Sequence, residues 1–378
     1  MEVTLSDDQE FFRDTTRKFL ESECPIVKVR ELAASDDGFE RDYWRQGAEL
    51  GWVSLLVPED LGGGSISGSG VVDLTLVADA FGSHVSPGPL LPANVVAAAL
   101  ARSGSDEQKQ GVLPAIIAGE VVATWAVAEP APHDQLGDVT VTATADGDGF
   151  MLSGVKAPVE AGAQSEQLLV TARTDDGLAQ FLVPADTAGV TITPLGSLDL
   201  VRRYARVEFS DARVPATAAV GAPGHADADV ERQLQLAVVI QTAEMVGAAQ
   251  TVFDFTLEWM FNRYSFGRPL ASYQNLKHRF ADMKMWLEAS HGLAAAAARE
   301  VQAEAPSAEE TISAAKAYTG DYLAELVQDC VQMHGGIGVT YDHDIHLYLR
   351  RVTVDRVTHG TPADHRQRIT NLREAHAA

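Results

Sequence analysis

Up to about residue 120 the apolar side chains recur at helical spacing, as in Phe11, Phe12, Thr15 and Phe19, and again in Val72, Leu74, Val77 and Phe81. That period predicts amphipathic helices sharing one core. A glycine-rich loop from Gly62 to Gly70 interrupts them. From Ala123 to about Gly221 the pattern shortens to alternation, in runs at 139–144, 167–172, 179–184, 189–193 and 205–209 separated by Asp-Gly and Pro turns. Such runs predict β-strands, and their short spacing predicts a small sandwich or barrel. Beyond a linker at 221–227 the helical period returns in long runs at 234–262, 275–304 and 309–333, followed by 343–355. Ala-rich faces let helices approach closely, which suits a four-helix bundle that also forms the core of an oligomer. The expectation is an α+β chain with a helical N-terminal domain over 1–122, a middle β domain over 123–224 and a C-terminal helical bundle over 225–378.

Composition narrows the functional classes. A chain of 378 residues has room for two or three packed units. A formal net charge of -24 opposes binding to nucleic acid or to an anionic membrane. No apolar run approaches a bilayer span, and Met1-Glu2-Val3-Thr4 opens no signal peptide. The two cysteines, Cys24 and Cys330, lie in different helical regions, so a disulfide framework is not expected. These features point to a soluble cytoplasmic protein, and no metal site is expected.

Two stretches in the last third carry candidate chemistry. In Arg263-Tyr264-Ser265-Phe266-Gly267-Arg268-Pro269-Leu270, running on to Gln274, a guanidinium, an aromatic face and a carboxamide gather at one helix end. Arginine offers a planar fork of donors to a pyrophosphate, and Gln274 can bond a purine or ribose edge. The plain alternative is a helix C-cap with a surface charge. In Gln332-Met333-His334-Gly335-Gly336-Ile337-Gly338 the glycines allow a positive-φ turn and expose N–H groups to a phosphate. An ordinary helix-to-helix turn is the alternative there. Occurring together and in this order, the two stretches favour a dinucleotide.

With Ala281-Asp282-Met283, His346-Leu347-Tyr348-Leu349-Arg350-Arg351, Pro58-Glu59-x-x-Gly62-Gly63 and Leu113-Pro114-x-x-x-x-Gly119-Glu120, these motifs resemble the acyl-CoA dehydrogenase family over nearly the whole chain. The resemblance implies a FAD lying across a subunit boundary. One protomer's middle β domain would hold the isoalloxazine, and the C-terminal domain of its mate would supply the Arg, Phe and first Gln around the pyrophosphate. The later Gln-x-x-Gly-Gly would sit near the adenine half. On that resemblance Arg263, Phe266, Gln274, Gln332, Gly335 and Gly336 contribute to a neighbour's FAD, with Thr361 as a further cofactor contact.

The ring half departs from the family. Where its members carry Thr-Glu-Pro and then Gly-Ser-Asp, this chain reads Ala128-Glu129-Pro130 and Ala131-Pro132-His133-Asp134. Val155-Lys156-Ala157-Pro158-Val159 stands where an aromatic-x-Ser/Thr pair would fall. Ala for a hydroxyl and Pro132 for an N–H remove hydrogen bonds to the ring's polar edge. The base departs too. Abstraction of the α-proton of an acyl thioester needs a carboxylate, while hydride leaves the β-carbon for the flavin. The family's Tyr-Glu-Gly-Thr reads Thr358-His359-Gly360-Thr361 here, and its earlier location, aligned from Val246-Gly247-x-x-Gln250, falls on Ala237. His359 is either a modest base beside Asp355 or Asp364, or a residue meeting a local hydrogen bond at a vacated site. Glu244, amid Val238, Val239, Ile240, Met245 and Val246, is a further candidate base or a buried or interfacial ion-pair partner.

The resemblance thus implies one subunit of an α2β2 heterotetramer of the kind used in actinobacterial degradation of steroid side chains. A homologous partner would carry the catalytic Glu, and the complex would desaturate a steroid-type or other bulky acyl-CoA and pass electrons to an electron-transfer flavoprotein. Two alternatives stay open: a self-sufficient homotetramer using His359 or Glu244, and a flavin-free scaffold.

Overall fold

The computed structural model describes residues 5–132 and 136–377; Met1 to Thr4, His133 and Asp134 lie outside the described residues. Seven helices come first: α1 (Asp7–Glu23), α2 (Ile26–Ala33), α3 (Arg41–Glu49), α4 (Gly70–His84), α5 (Leu90–Ser103), α6 (Asp106–Gly111) and α7 (Leu113–Ile117). Reciprocal capping boxes start α1 at Ser6 with Gln9 and α6 at Ser105 with Gln108, satisfying N–H groups that a helix start leaves orphaned. The helical spacing read from the sequence buries Phe12 of α1 and Leu74, Val77 and Phe81 of α4 while leaving Phe11 exposed.

The middle of the chain folds into β1 (Ala123–Ala126), β2 (Thr142–Asp146), β3 (Gly149–Glu160), β4 (Gln167–Thr174), β5 (Gly177–Pro184), β6 (Val190–Leu195), β7 (Tyr204–Pro215) and β8 (Ala219–Val220). They form one hydrogen-bonded sheet in the order β6-β7-β3-β2-β4-β5-β8, with β1 added parallel to β4. The 12-residue β3, paired along β7, escapes the alternation rule. Its register shifts between Leu152 and Gly154 and again between Lys156 and Val159, and each bulge moves the following side chains to the other face. The run at 139–144 becomes strand only from Thr142, because the N–H groups of Thr140 and Val141 bond the Glu129 carboxylate instead.

The rest is helical: α8 (Asp227–Asn262), a hairpin of β9 (Tyr264–Ser265) and β10 (Arg268–Pro269), then α9 (Gln274–Gln302), α10 (Ala308–His334), α11 (Ile345–Val357) and α12 (Pro362–Ala377). An 18-residue window of α8 reaches a mean hydropathy of 1.4, yet 89% of it is buried inside the fold. That apolarity belongs to a core helix wrapped by α4, α5, α9, α10 and α11. Where α8 crosses α4 the backbones touch. A Cβ on Gly82 would sit 1.9 Å from the Glu244 carbonyl oxygen, and one on Gly247 would sit 2.1 Å from that of Asp79.

Candidate functional site

The two glycine-bearing stretches meet at one end of the C-terminal helices. Helix α8 ends at Arg263, whose carbonyl accepts from the N–H of Leu270 at 2.8 Å, closing the β9–β10 hairpin. Its central residues, Phe266 and Gly267, have φ of 51° and 78°, the positive-φ pair that a tight two-residue hairpin demands. Phe266 therefore stands out from the tip, 97% exposed. The Tyr273 hydroxyl donates to the Ser265 carbonyl at 2.9 Å, and the Arg268 guanidinium lies 3.8 Å from the Tyr273 ring centre. These contacts brace the hairpin against the first turn of α9, which Gln274 opens.

On the other side, Gln332 lies in the last turn of α10, which stops at Gly335 with φ 63°. A Cβ added at Gly335 or Gly336 would meet nothing within 4 Å among the described residues, whereas one at Gly338 would run into Val331 and His334. Gly335 and Gly336 are thus an open, backbone-lined surface, and Gly338 is fixed by packing. Trp259, one turn before Arg263, joins the halves: its Nε1–H donates to the Met333 carbonyl at 3.3 Å, and its ring stacks on His334 at 5.2 Å and 23°. Arg263, Phe266, Gln274, Gln332, Gly335 and Gly336 are all exposed. The Gly335 N–H is taken by the Gln332 carbonyl rather than left open as the sequence suggests; a fork of donors, an aromatic face, two carboxamides and an unobstructed glycine backbone at this end of the helices fit a diphosphate with its nucleoside. Thr361 lies elsewhere, two residues after His359, with its hydroxyl donating to Asp364 at 2.7 Å as the cap of α12.

The ring-facing region of the middle domain is built differently. Fully buried Lys156 donates to Glu129 at 2.7 Å and to the Val127 carbonyl at 3.0 Å. Burial pushes its ammonium down to about 8, against the pull of Glu129. Glu129 also accepts from the N–H groups of Thr140 and Val141. The Ala157 N–H is taken by the Ala128 carbonyl at 2.9 Å. The donors of Lys156 and Ala157 are thus spent within the protein, and at Ala128 and Pro132 a hydroxyl and an N–H are missing, so these residues do not fit the isoalloxazine.

Beside this region, neither of the two positions where the sequence places the base holds a carboxylate. Ala237 is buried on α8. His359 adopts φ 58° and stacks on Trp125 at 5.5 Å and 26°. Its carbonyl bonds the His365 ring at 2.9 Å. Burial, aided by the positive charges of Lys316 and Arg202, pushes the His359 imidazole down to about 3. Asp355 and Asp364 are occupied with Arg202 and Thr361 instead. An imidazole so reluctant to take a proton is a poor acceptor for an α-proton.

Glu244 sits in a buried ion network that the spacing of residues in the sequence does not assemble. One of its oxygens meets Arg351 at 2.5 Å and the other meets Arg202. Arg202 also binds Asp355 at 2.5 Å and lies 3.5 Å from Glu160, and Arg351 binds Asp199 at 2.5 Å. Lys316 donates to Gln241 and to the Asp355 carbonyl. Loop, sheet, α8, α10 and α11 are thereby pinned around one connected set of ionisable side chains in the interior. Burial pushes Glu160 up to about 7 despite Arg202. The sequence signals are present but scattered: Glu244 in an apolar run, Lys316 among alanines, and the pairs Arg202-Arg203 and Arg350-Arg351.

A helical N-terminal domain, a mixed β-sheet and a C-terminal helical bundle make up the architecture of an acyl-CoA dehydrogenase. The chain belongs to the acyl-CoA dehydrogenase family: the family's N-terminal domain matches residues 6–120 and its C-terminal domain residues 229–371. It is similar to the mitochondrial isobutyryl-CoA dehydrogenase of Dictyostelium discoideum, 30% identical over 96% of this chain and 88% of that one. Among solved structures it is similar to the Tcur3481-Tcur3483 steroid ACAD, with TM-score 0.89 and 27% identity over 99% of this chain and 100% of that chain. It also resembles the ChsE4-ChsE5 complex from Mycobacterium tuberculosis, with TM-score 0.88 and 28% identity over 98% of each chain. FAD is the cofactor of this family, and dehydrogenation of acyl-CoA thioesters is its reaction.

Proposed function

We propose that this chain is the non-catalytic-type subunit of a heteromeric acyl-CoA dehydrogenase. It closes the pyrophosphate and adenine end of a FAD held mainly by a homologous partner, and Arg263, Phe266, Gln274, Gln332, Gly335 and Gly336 make that contribution. The partner carries the catalytic Glu, the ring-binding β domain and the acyl-CoA pocket. When bound, the flavin accepts the hydride released from the substrate's β-carbon. The complex hands its electrons to an electron-transfer flavoprotein. Its substrate is a bulky acyl-CoA of the steroid side-chain type, a reading supported by the likeness to the Tcur3481-Tcur3483 steroid ACAD. Likeness to the ChsE4-ChsE5 complex supports a paired subunit, and the setting is the cytoplasm.

One observation carries this reading: an exposed nucleotide cradle stands in the same chain as base positions held by His359, Ala237 and a fully ion-paired Glu244. Around the cradle, Phe261, Tyr264, Phe266, Val339 and Tyr341 are each at least 62% exposed. Apolar side chains gathered so densely on a surface mark a protein interface.

Expression alone and with the homologous subunit tests the proposal. The expected result is colourless protein alone, and on co-expression a yellow tetramer with two flavins that reduces a dye in the presence of acyl-CoA. A yellow, active homotetramer from this chain alone would overturn it. So would a complex that stays colourless.

A further inference from the structure

Buried His334, inside the second glycine stretch, is not among the exposed residues that would touch a nucleotide, yet it occupies the joint between the two halves of the cradle. We propose that His334 is a positioning residue for the nucleotide half-site: its neutral ring, wedged between Trp259 and His343, holds the end of α10 against the end of α8. The inference rests on the reading of that end as the FAD half-site.

Four contacts fix the ring. Nδ1 bonds the Cys330 carbonyl at 2.8 Å, so that nitrogen carries the proton and donates. The ring stacks on Trp259 at 5.2 Å and meets His343 edge-on at 4.4 Å and Phe255 at 5.6 Å. Gly338 closes over it, its missing side chain leaving room where a Cβ would lie 2.8 Å from that of His334. His334 is thus in contact with both the helix that ends in Arg263 and the loop that follows Gly335 and Gly336. If the ring moves, the spacing between Arg263 and those glycines changes, and a diphosphate must span that spacing.

The arrangement tolerates little positive charge. From the loop, His343 faces His334, and Asp344 stands beside it paired with Arg30 of α2 at 2.6 Å. From α8, Arg263 reaches toward the Trp259 ring at 5.7 Å. From α11, Tyr348 packs on Phe255 at 5.9 Å. Of these groups only Asp344 is anionic at neutral pH, and Arg30 already engages it. Burial and the neighbouring His343 lower the affinity of His334 for a proton, and burial and Arg30 do the same for His343. Acid places like charges on two touching rings and pushes them apart, so FAD retention falls with pH.

The test uses the full chain assembled with its flavin-binding partner. FAD dissociation constants are measured at about pH 7.5 and about pH 5.5 for the native complex and for His334→Ala, His334→Phe and Arg263→Ala. Tryptophan fluorescence of the full chain is followed over the same pH range. An aromatic pair contributes enough that His334→Ala weakens FAD about three- to tenfold. His334→Phe, which keeps a stacking ring without a titrating nitrogen, restores the neutral-pH affinity and flattens both the FAD and the fluorescence profiles. Weakening by Arg263→Ala with no effect of either His334 variant would overturn the inference while leaving the half-site reading intact. If Arg263→Ala has no effect either, the half-site reading itself fails and the inference fails with it. Should His334→Ala misfold, a His334→Phe complex that still loses FAD in acid like the native one overturns the inference.

Discussion

Replacing Glu244 by Gln separates the two roles that a glutamate in the middle of a core helix can have. In the native chain its oxygens are held by Arg351 at 2.5 Å and by Arg202, and all three side chains are at most 5% exposed. The introduced carboxamide keeps an acceptor oxygen but removes the charge, so two guanidiniums stay buried with only Asp199, Asp355 and the more distant Glu160 opposite them. Removing one partner of a buried ion pair costs about 3–5 kcal/mol. The retained acceptor places Glu244→Gln near about 3 kcal/mol and Glu244→Ala near about 5. Urea denaturation followed by circular dichroism reads that cost. A cycle with Arg351→Met should return a coupling of about 1–3 kcal/mol. Turnover per folded complex should not change. The reverse outcome, an unmoved denaturation midpoint with turnover reduced about 10²–10⁴-fold, would make Glu244 a proton acceptor and refute the structural assignment.

His359→Ala should leave both FAD content and steady-state turnover of the complex within about twofold; turnover lost with FAD retained would instead show that the imidazole takes the proton. One component of the pH dependence of stability comes from His359 and His365, whose rings burial pushes down to about 3 and about 4. Both have folded values below the unfolded histidine value of about 6.5, so the unfolded chain binds more protons as pH drops below that value. Each ring's contribution is therefore full above about pH 6.5 and falls toward pH 4 by up to about 1.4 kcal/mol per pH unit, while Glu160 and Asp355, which burial pushes up to about 7 and about 6, contribute with the opposite sign below those values. Measured by urea denaturation beside the native chain, His365→Phe should lose less stability between pH 7 and pH 5. Gly247→Ala drives a methyl into the Asp79 carbonyl, 2.1 Å away on the fixed backbone; overpacking of this kind costs about 1–3 kcal/mol, and an unchanged melting temperature would argue against the close crossing.

Periodicity carries the element types because burial is periodic, and the long helices end within a few residues of where the sequence places them, as with 309–333 against Ala308–His334. The start of α8 is less legible. Its first turns, from Asp227 to Gln233, are polar and partly exposed, so the apolar period begins only near Leu234. Strand β3 is hidden for a different reason: two bulges break the alternation that a flat strand would show. At the site, Arg263, Gln332 and the glycines are legible because local spacing marks them. Trp259 and His334 are not, since what joins them is a ring contact between the ends of two different helices. The ion network is the least legible of all, because Arg202 and Asp355 lie 153 residues apart. Only the folded chain gives each charge its counter-ion.

The bare crossing of α4 and α8 has a dynamic consequence. With Gly82 against the Glu244 carbonyl and Gly247 against that of Asp79, no side chain lies between the helices there to act as a bearing. Sliding one helix along the other would drive backbone into backbone, so shear between the first and last domains is blocked at that point. Any relative motion of those two domains must therefore take a course other than sliding along this crossing.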